Sequence, residues 1–310
     1  MTTALQFDRI VRHFLGRAVL ADLTFQVRAG EAFALLGRNG SGKTTALRIL
    51  LGFLEPHSGR STILGADSRS LDPATRDRIG YVCEGVAHFE HLTLTRVLDY
   101  ENATRPRFDR DLALRTLSRH ALNTRVPLRK LSRGQRALVA LALATAGRPE
   151  VLVYDDPAMG LDVVHRHELI QGLAEILAEQ GIALLFSSHI LADVERMADR
   201  VGILAKGRLV VDAPLDVLRR RVQRRTFRPK PGASTNGTLG AHVPCILSSR
   251  ETAGGFTLTL VDCDAEQERR LRGDSEVLTD PEPLNLEELF VEFTSDPHAS
   301  ALHADKEVSS

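Results

Sequence analysis

Charge of either sign is not in excess in this chain: forty Lys and Arg residues balance forty Asp and Glu over 310 residues. Without a net field there is no general attraction for nucleic acid or acidic lipid, so no nucleic-acid partner is expected. Cysteine is scarce and odd in number. Cys83, Cys245 and Cys263 are scattered and lack metal-ligand spacing, which suits a reducing cytosol and speaks against a disulfide framework. Long apolar runs are missing as well. The longest, residues 137–146, is far too short to span a bilayer. The first ten residues, with Asp8 and Arg9, lack the apolar centre of a signal peptide. A cytoplasmic protein is expected, and any membrane role must come through a partner. Apolar content is ordinary at 43%, enough for a real core. The length suits one large domain plus a small one.

The stretch Gly37-Arg38-Asn39-Gly40-Ser41-Gly42-Lys43-Thr44-Thr45 fits the phosphate-binding pattern G-x-x-x-x-G-K-[ST]. Its surroundings fit too. Residues 32–36 are a short apolar run that reads as a buried strand feeding the loop, and residues 45–51 read as a helix leaving it. Glycines let backbone N–H groups turn inward into an anion nest at a helix N-terminus. Lys43 then reaches the β- and γ-phosphates, and the Thr44 hydroxyl ligates Mg²⁺. A Gly-rich turn with a surface lysine is the plainer alternative, and the strand-to-helix context disfavours it. The chain is expected to bind a nucleoside triphosphate.

Before the loop, residues 5–14 and 20–27 read as strands, and Phe14 on pattern alone reads as a core phenylalanine. Beyond it, residues 61–64 and 79–83 read as strands, the latter ending at Glu84. Residues 91–120 turn helical and arginine-rich, as an inserted helical subdomain. Residues 137–146 form an apolar helix stopped by Gly147-Arg148-Pro149. Residues 151–154 are a strand that ends in Asp155-Asp156. A carboxylate at a strand tip beside a phosphate loop is the expected Mg²⁺ holder, and the second acid suggests that water is handled there. Residues 165–180 are an amphipathic helix, residues 182–186 a buried strand closed by Ser187-Ser188-His189, and residues 201–212 a hairpin. Strands alternating with helices make an α/β domain of the P-loop NTPase class. Residues 219–230 are dense in arginine and read as a solvated helix end running into a linker. The domain layout is then 1–228 for the nucleotide-binding domain with its helical subdomain at about 85–147, and a Pro/Gly/Ser-rich linker at 229–240. A small α+β appendage follows at 241–295, and a disordered tail at 296–310.

Five elements in one order resemble the ATP-binding subunit of an ABC transporter, over roughly residues 4–220. Leu131-Ser132-Arg133-Gly134-Gln135 resembles that family's LSGGQ signature, with Arg133 in place of its first glycine. Asp155 falls at the Walker B aspartate, Gly160-Leu161-Asp162 resembles the D-loop, and His189 matches the switch histidine. Phe14 has the spacing of the aromatic that stacks on adenine, and the resemblance moves it from core residue to nucleotide contact. Residues 286–290 are similar to the C-terminal end of ATPases serving ABC-2-type exporters. The resemblance implies ATP and Mg²⁺ as ligands and a head-to-tail homodimer or heterodimer. It also implies a separate transmembrane permease subunit, with this chain peripheral on the inner face of the cell membrane. Ser132, Gly134 and Gln135 of one subunit then face the γ-phosphate held by Gly37, Asn39, Gly40, Ser41, Gly42, Lys43, Thr44 and Thr45 of the other.

Two positions depart from the family. The general-base glutamate after Walker B is here Asp156, and the Q-loop glutamine is here Glu84, which retains an oxygen for Mg²⁺ but loses the amide donor. Asp156, His189 and Glu84 are the expected catalytic residues, and Thr44, Glu84 and Asp155 the metal ligands. Two other classes stay open at this stage: an ABC ATPase outside transport, and a weakly hydrolysing regulatory switch.

Overall fold

The computed structural model describes residues 2–83, 89–118, 122–156, 163–188, 190–230, 243–252, 255–295 and 302–303. Two compact units result, one of residues 1–200 with 206–208, the other of 201–205 with the remainder.

In the first unit, β1 (Thr3–Phe14) and β2 (Arg17–Arg28) pair antiparallel, and β4 (Ser58–Ile63) and β5 (Ala66–Asp67) extend the sheet in the order β2-β1-β4-β5. The second layer is parallel. β3 (Ala32–Leu36) lies beside β8 (Ala183–Ser187), β8 beside β7 (Val151–Asp155), and β7 beside β6 (Ile79–Cys83). Every residue of β3 and β8 is buried, as are Val151 to Tyr154 in β7. Strands covered on both faces need such unbroken apolar runs, which is why these segments stand out in the sequence. Phe7, Phe25 and Phe33 stack in series, with centroids 4.6 and 4.9 Å apart, and tie the antiparallel layer to the parallel one.

The parallel order puts the C-terminal ends of β3, β6, β7 and β8 along one edge, where ligands bind in open α/β sheets. Helix α1 (Lys43–Leu50) leaves the loop after β3, and α2 (Pro73–Asp77) starts on an Asp72 cap with proline at its first turn. Helices α3 (Leu94–Thr104), α4 (Arg110–Ser118) and α5 (Arg133–Ala146) gather around an apolar cluster of their own, centred on Leu94, Leu98, Ala113, Val139 and Ala142. Helix α6 (Val163–Gln180) buries Leu169, Leu173 and Ile176, and the short α7 (Leu191–Met197) follows β8. No helix among the described residues is long and apolar enough to cross a membrane.

The second unit holds most of β9 (Arg200–Ala205) and β10 (Arg208–Pro214), then α8 (Leu215–Arg221) and a second sheet. The helix end read at residues 219–230 is the last turn of α8, but where a linker is expected to follow it the chain enters this sheet instead. β11 (Val222–Pro229) lies inside it, flanked by β13 (Gly255–Val261) on one side and β14 (Ser275–Val277) on the other, with β12 (Ile246–Thr252) outside β13. Three of the arginines are part-buried and ion-paired. Arg221 meets Asp262, Arg224 meets Glu288 at 2.5 Å and Glu292 at 3.6 Å, and Arg225 meets Glu268 at 2.9 Å. Their partners come from β13's end, α9 (Ala265–Asp274) and α10 (Leu286–Ser295), all distant in sequence.

The expectation of no disulfide is also overturned. Cys245 and Cys263 are bonded, with Cα atoms 5.2 Å apart, inside a core shared with Phe227, Leu258, Leu260 and Leu271. Spacing alone does not reveal the pair, because the β12–β13 hairpin is what carries the two cysteines together. Cys83 remains a free thiol. The expected disordered tail lies mostly outside the described residues, and the linker at 229–240 almost wholly so.

Candidate functional site

The loop between β3 and α1 is shaped by its glycines. Gly40 and Gly42 have φ of 78° and 111°, and a Cβ on Gly42 would stand 2.7 Å from Leu20 Cδ2 and 2.8 Å from the Val19 carbonyl. Only glycine fits there. Gly37 is buried, whereas Arg38, Asn39 and Gly40 are exposed. Inside the loop the Ser41 Oγ is buried with no hydrogen-bond partner among the described residues. A concave run of backbone with an orphaned buried hydroxyl is the cradle an anion such as a triphosphate fits.

Lys43 opens α1 and curls over this cradle, donating to the Gly37 carbonyl at 2.6 Å and the Arg38 carbonyl at 3.4 Å. Burial lowers the pKa of its ammonium, and the negative charges of Asp156 and Asp155 oppose that shift. The lysine therefore stands where two carboxylates act on it. Thr44 follows; its hydroxyl lies 3.4 Å from Asp155 Oδ1, and the same carboxylate oxygen accepts from the Ser187 hydroxyl at 2.7 Å. Three strand ends meet here: the loop after β3, the tip of β7 and the tip of β8. Sequence reasoning found Asp155 and Thr44 but gave Ser187 no role, although it stands at the recognised end of a strand. Hard oxygens from a hydroxyl and a carboxylate suit Mg²⁺, which needs few protein ligands when phosphate oxygens complete its shell. Among the described residues no group of three His, Cys, Asp or Glu gathers as an all-protein metal site.

Asp156 is half-buried just past β7, with φ at 46°. Left-handed backbone is uncommon for residues other than glycine, but aspartate is among the types that tolerate it. Glu84, His189 and the D-loop residues 160–162, all named from the sequence, lie outside the described residues.

Phe14 is 42% exposed, so the core reading fails; the Arg12 guanidinium sits 4.7 Å from its ring centroid. Residues 131–135 form the start of α5. Ser132 is the N-cap, its Oγ accepting from the Gln135 N–H at 3.1 Å, while Gln135 Oε1 accepts from the Ser132 N–H at 3.0 Å. This capping box satisfies the Ser132 and Gln135 amides within the helix start itself. Gly134 is buried, and Arg133 is exposed at the first helical position.

Comparison with known proteins follows the same lines. The family model described as "ABC transporter" matches residues 20–159. The chain is 30% identical over 317 residues to Nod factor export ATP-binding protein I of Rhizobium johnstonii, covering 94% of each. It is 31% identical over 293 residues to the Fe(3+) ions import ATP-binding protein FbpC of Pseudomonas fluorescens, covering 91% of this chain and 78% of the relative. Among solved structures, the ATP binding subunit of an ABC transporter superposes with a TM-score of 0.62 at 30% identity, over 70% of this chain and 92% of that one.

Proposed function

The chain belongs to the ABC transporter ATP-binding family, and on that premise we propose that it is the ATPase subunit of an ABC-2-type exporter. Its ATP binding and hydrolysis would drive a separate membrane permease. The observation that carries the proposal is the convergence of Lys43, Thr44, Asp155 and Ser187 at the ends of β3, β7 and β8. Export is favoured because the export relative matches over 94% of both chains, whereas the import relative extends past the match.

In this reading the amides of residues 37–45 and the Lys43 ammonium hold the β- and γ-phosphates, and Phe14 stacks on adenine. Mg²⁺, held by Thr44 and Asp155 with Glu84, neutralises phosphate charge when bound. Asp156 takes the proton of the attacking water, and His189 holds the γ-phosphate. Ser132, Gly134 and Gln135 at the start of α5 complete the nucleotide site of a second ATP-binding subunit, of the same or another chain. The cassette then spans the first unit, and the arginine-paired sheet is a separate appended domain.

The test is ATP binding by Lys43→Ala, measured by calorimetry on the full chain. Losing a charged hydrogen bond worth about 1.5–3 kcal/mol lowers affinity about 10- to 100-fold with the melting temperature unchanged. Unaltered affinity would remove the phosphate-loop assignment.

A further inference from the structure

Tyr154 is the last residue of β7 before the two acids, only 2% exposed, and its hydroxyl has no hydrogen-bond partner among the described residues. A buried hydroxyl left unpaired costs about 1–3 kcal/mol, and phenylalanine would fill the same space without that penalty. The oxygen of this tyrosine therefore needs a reason.

Beside it lies a small cavity. Tyr154, Asp156, Ser187, Ser188 and Asp193 line it on its polar side, and apolar side chains of α6, β8 and α7 line the rest. It has room for a single water molecule. Most of the polar wall is already engaged. Asp193 receives the Arg166 guanidinium through contacts of 2.9, 3.0 and 3.1 Å. Ser187 donates to Asp155, and Ser188 Oγ accepts from the Ile190 N–H at 3.0 Å. A phenol is protonated at neutral pH, so Tyr154 brings a donor to a wall that also presents the Asp156 carboxylate. Buried waters occur where polar partners of this kind are spaced to receive them.

We propose that Tyr154 is a positioning residue for Asp156: one water in this cavity accepts from the Tyr154 hydroxyl and donates to the Asp156 carboxylate. The water bridge fixes the rotamer of a short acid on a left-handed backbone, where a longer acid would reach its target unaided. This inference rests on the assignment of Asp156 as the base.

Tyr154→Phe in the full chain tests it through two readouts. The melting temperature of the nucleotide-free protein should fall, since the phenol is engaged; an idle hydroxyl would leave it unchanged or raised on removal. Steady-state kcat should fall about 10-fold, the worth of one buried hydrogen bond, with KM for ATP unchanged. In an Asp156→Asn background the same change should cost kcat nothing further, because the group being positioned is gone. A melting temperature that holds or rises, an unchanged kcat, or full additivity in the double variant overturns the bridge. Wild-type turnover by Asp156→Asn alone removes the base itself, a failure distinguishable from a silent Tyr154→Phe.

Discussion

Aspartate at 156 is one methylene shorter than glutamate, and in the proposed role it has to reach a water on the γ-phosphate. Misplacement by about 1 Å can cost on the order of 100-fold in rate, and a positioned base contributes about 10²–10⁴-fold. With Asp156 as the proposed base, turnover is expected to be slow but real. Asp156→Asn should lower kcat by a further 100-fold or so, and Asp156→Glu should raise it. The backbone adds a condition, since φ is 46° at this residue and left-handed geometry suits aspartate better than glutamate. Asp156→Glu should therefore gain rate while losing a few degrees of melting temperature. Steady-state ATPase assays with a thermal melt on each variant check both. An Asn variant as fast as wild type would mean that Asp156 is not the base.

At the scale of an element, the start of α5 gives stability and, in the proposed reading, recognition together. Ser132 and Gln135 cap each other, so their side-chain oxygens are held before any nucleotide arrives. In the proposed dimer the hydroxyl proton of Ser132 remains to meet phosphate. Arg133 occupies the first helical position, exposed, and so leaves the cap intact. ATP with Mg²⁺ should dimerise the Asp156→Asn chain, and Ser132→Arg should prevent it by placing bulk and charge against the phosphate. Sedimentation velocity reads the outcome directly. Losing the cap also costs about 1 kcal/mol of helix stability, so far-UV melting must accompany it. A Ser132→Arg chain that still dimerises would place the interface elsewhere.

For the molecule as a whole, two units with separate cores need not unfold together, and a single melting temperature does not describe such a chain. The second unit is small, and the Cys245–Cys263 bond closes a separation of 18 residues within it. Closing a loop of that length restricts the unfolded chain by about 3 kcal/mol in the chain-entropy account. Dithiothreitol, or Cys245→Ser with Cys263→Ser, should lower the second unit's calorimetric transition. The first unit's transition, recognisable because ATP raises it, should stay in place. A second transition indifferent to reductant would show that the packing around Phe227 suffices without the bond.

The sequence by itself determined what local chain chemistry can encode. The phosphate loop is contiguous, its shape set by glycines of which Gly42 has no room for a side chain, and the strands of the parallel sheet declare themselves as unbroken apolar runs. Asp155, Thr44 and the capped signature were legible for the same reason, as short motifs beside predictable elements. Tertiary structure alone decided the pairings between distant segments. Ser187 reaches Asp155 from 32 residues away only because β7 and β8 lie parallel in register. Arg224 finds Glu288 across 64 residues, turning an apparent linker into the interior strand of a sheet. Cys245 and Cys263 meet through a hairpin, and the Tyr154 hydroxyl shares a cavity with Asp156. Periodicity reports which face of an element is buried, but not which distant side chain it is buried against.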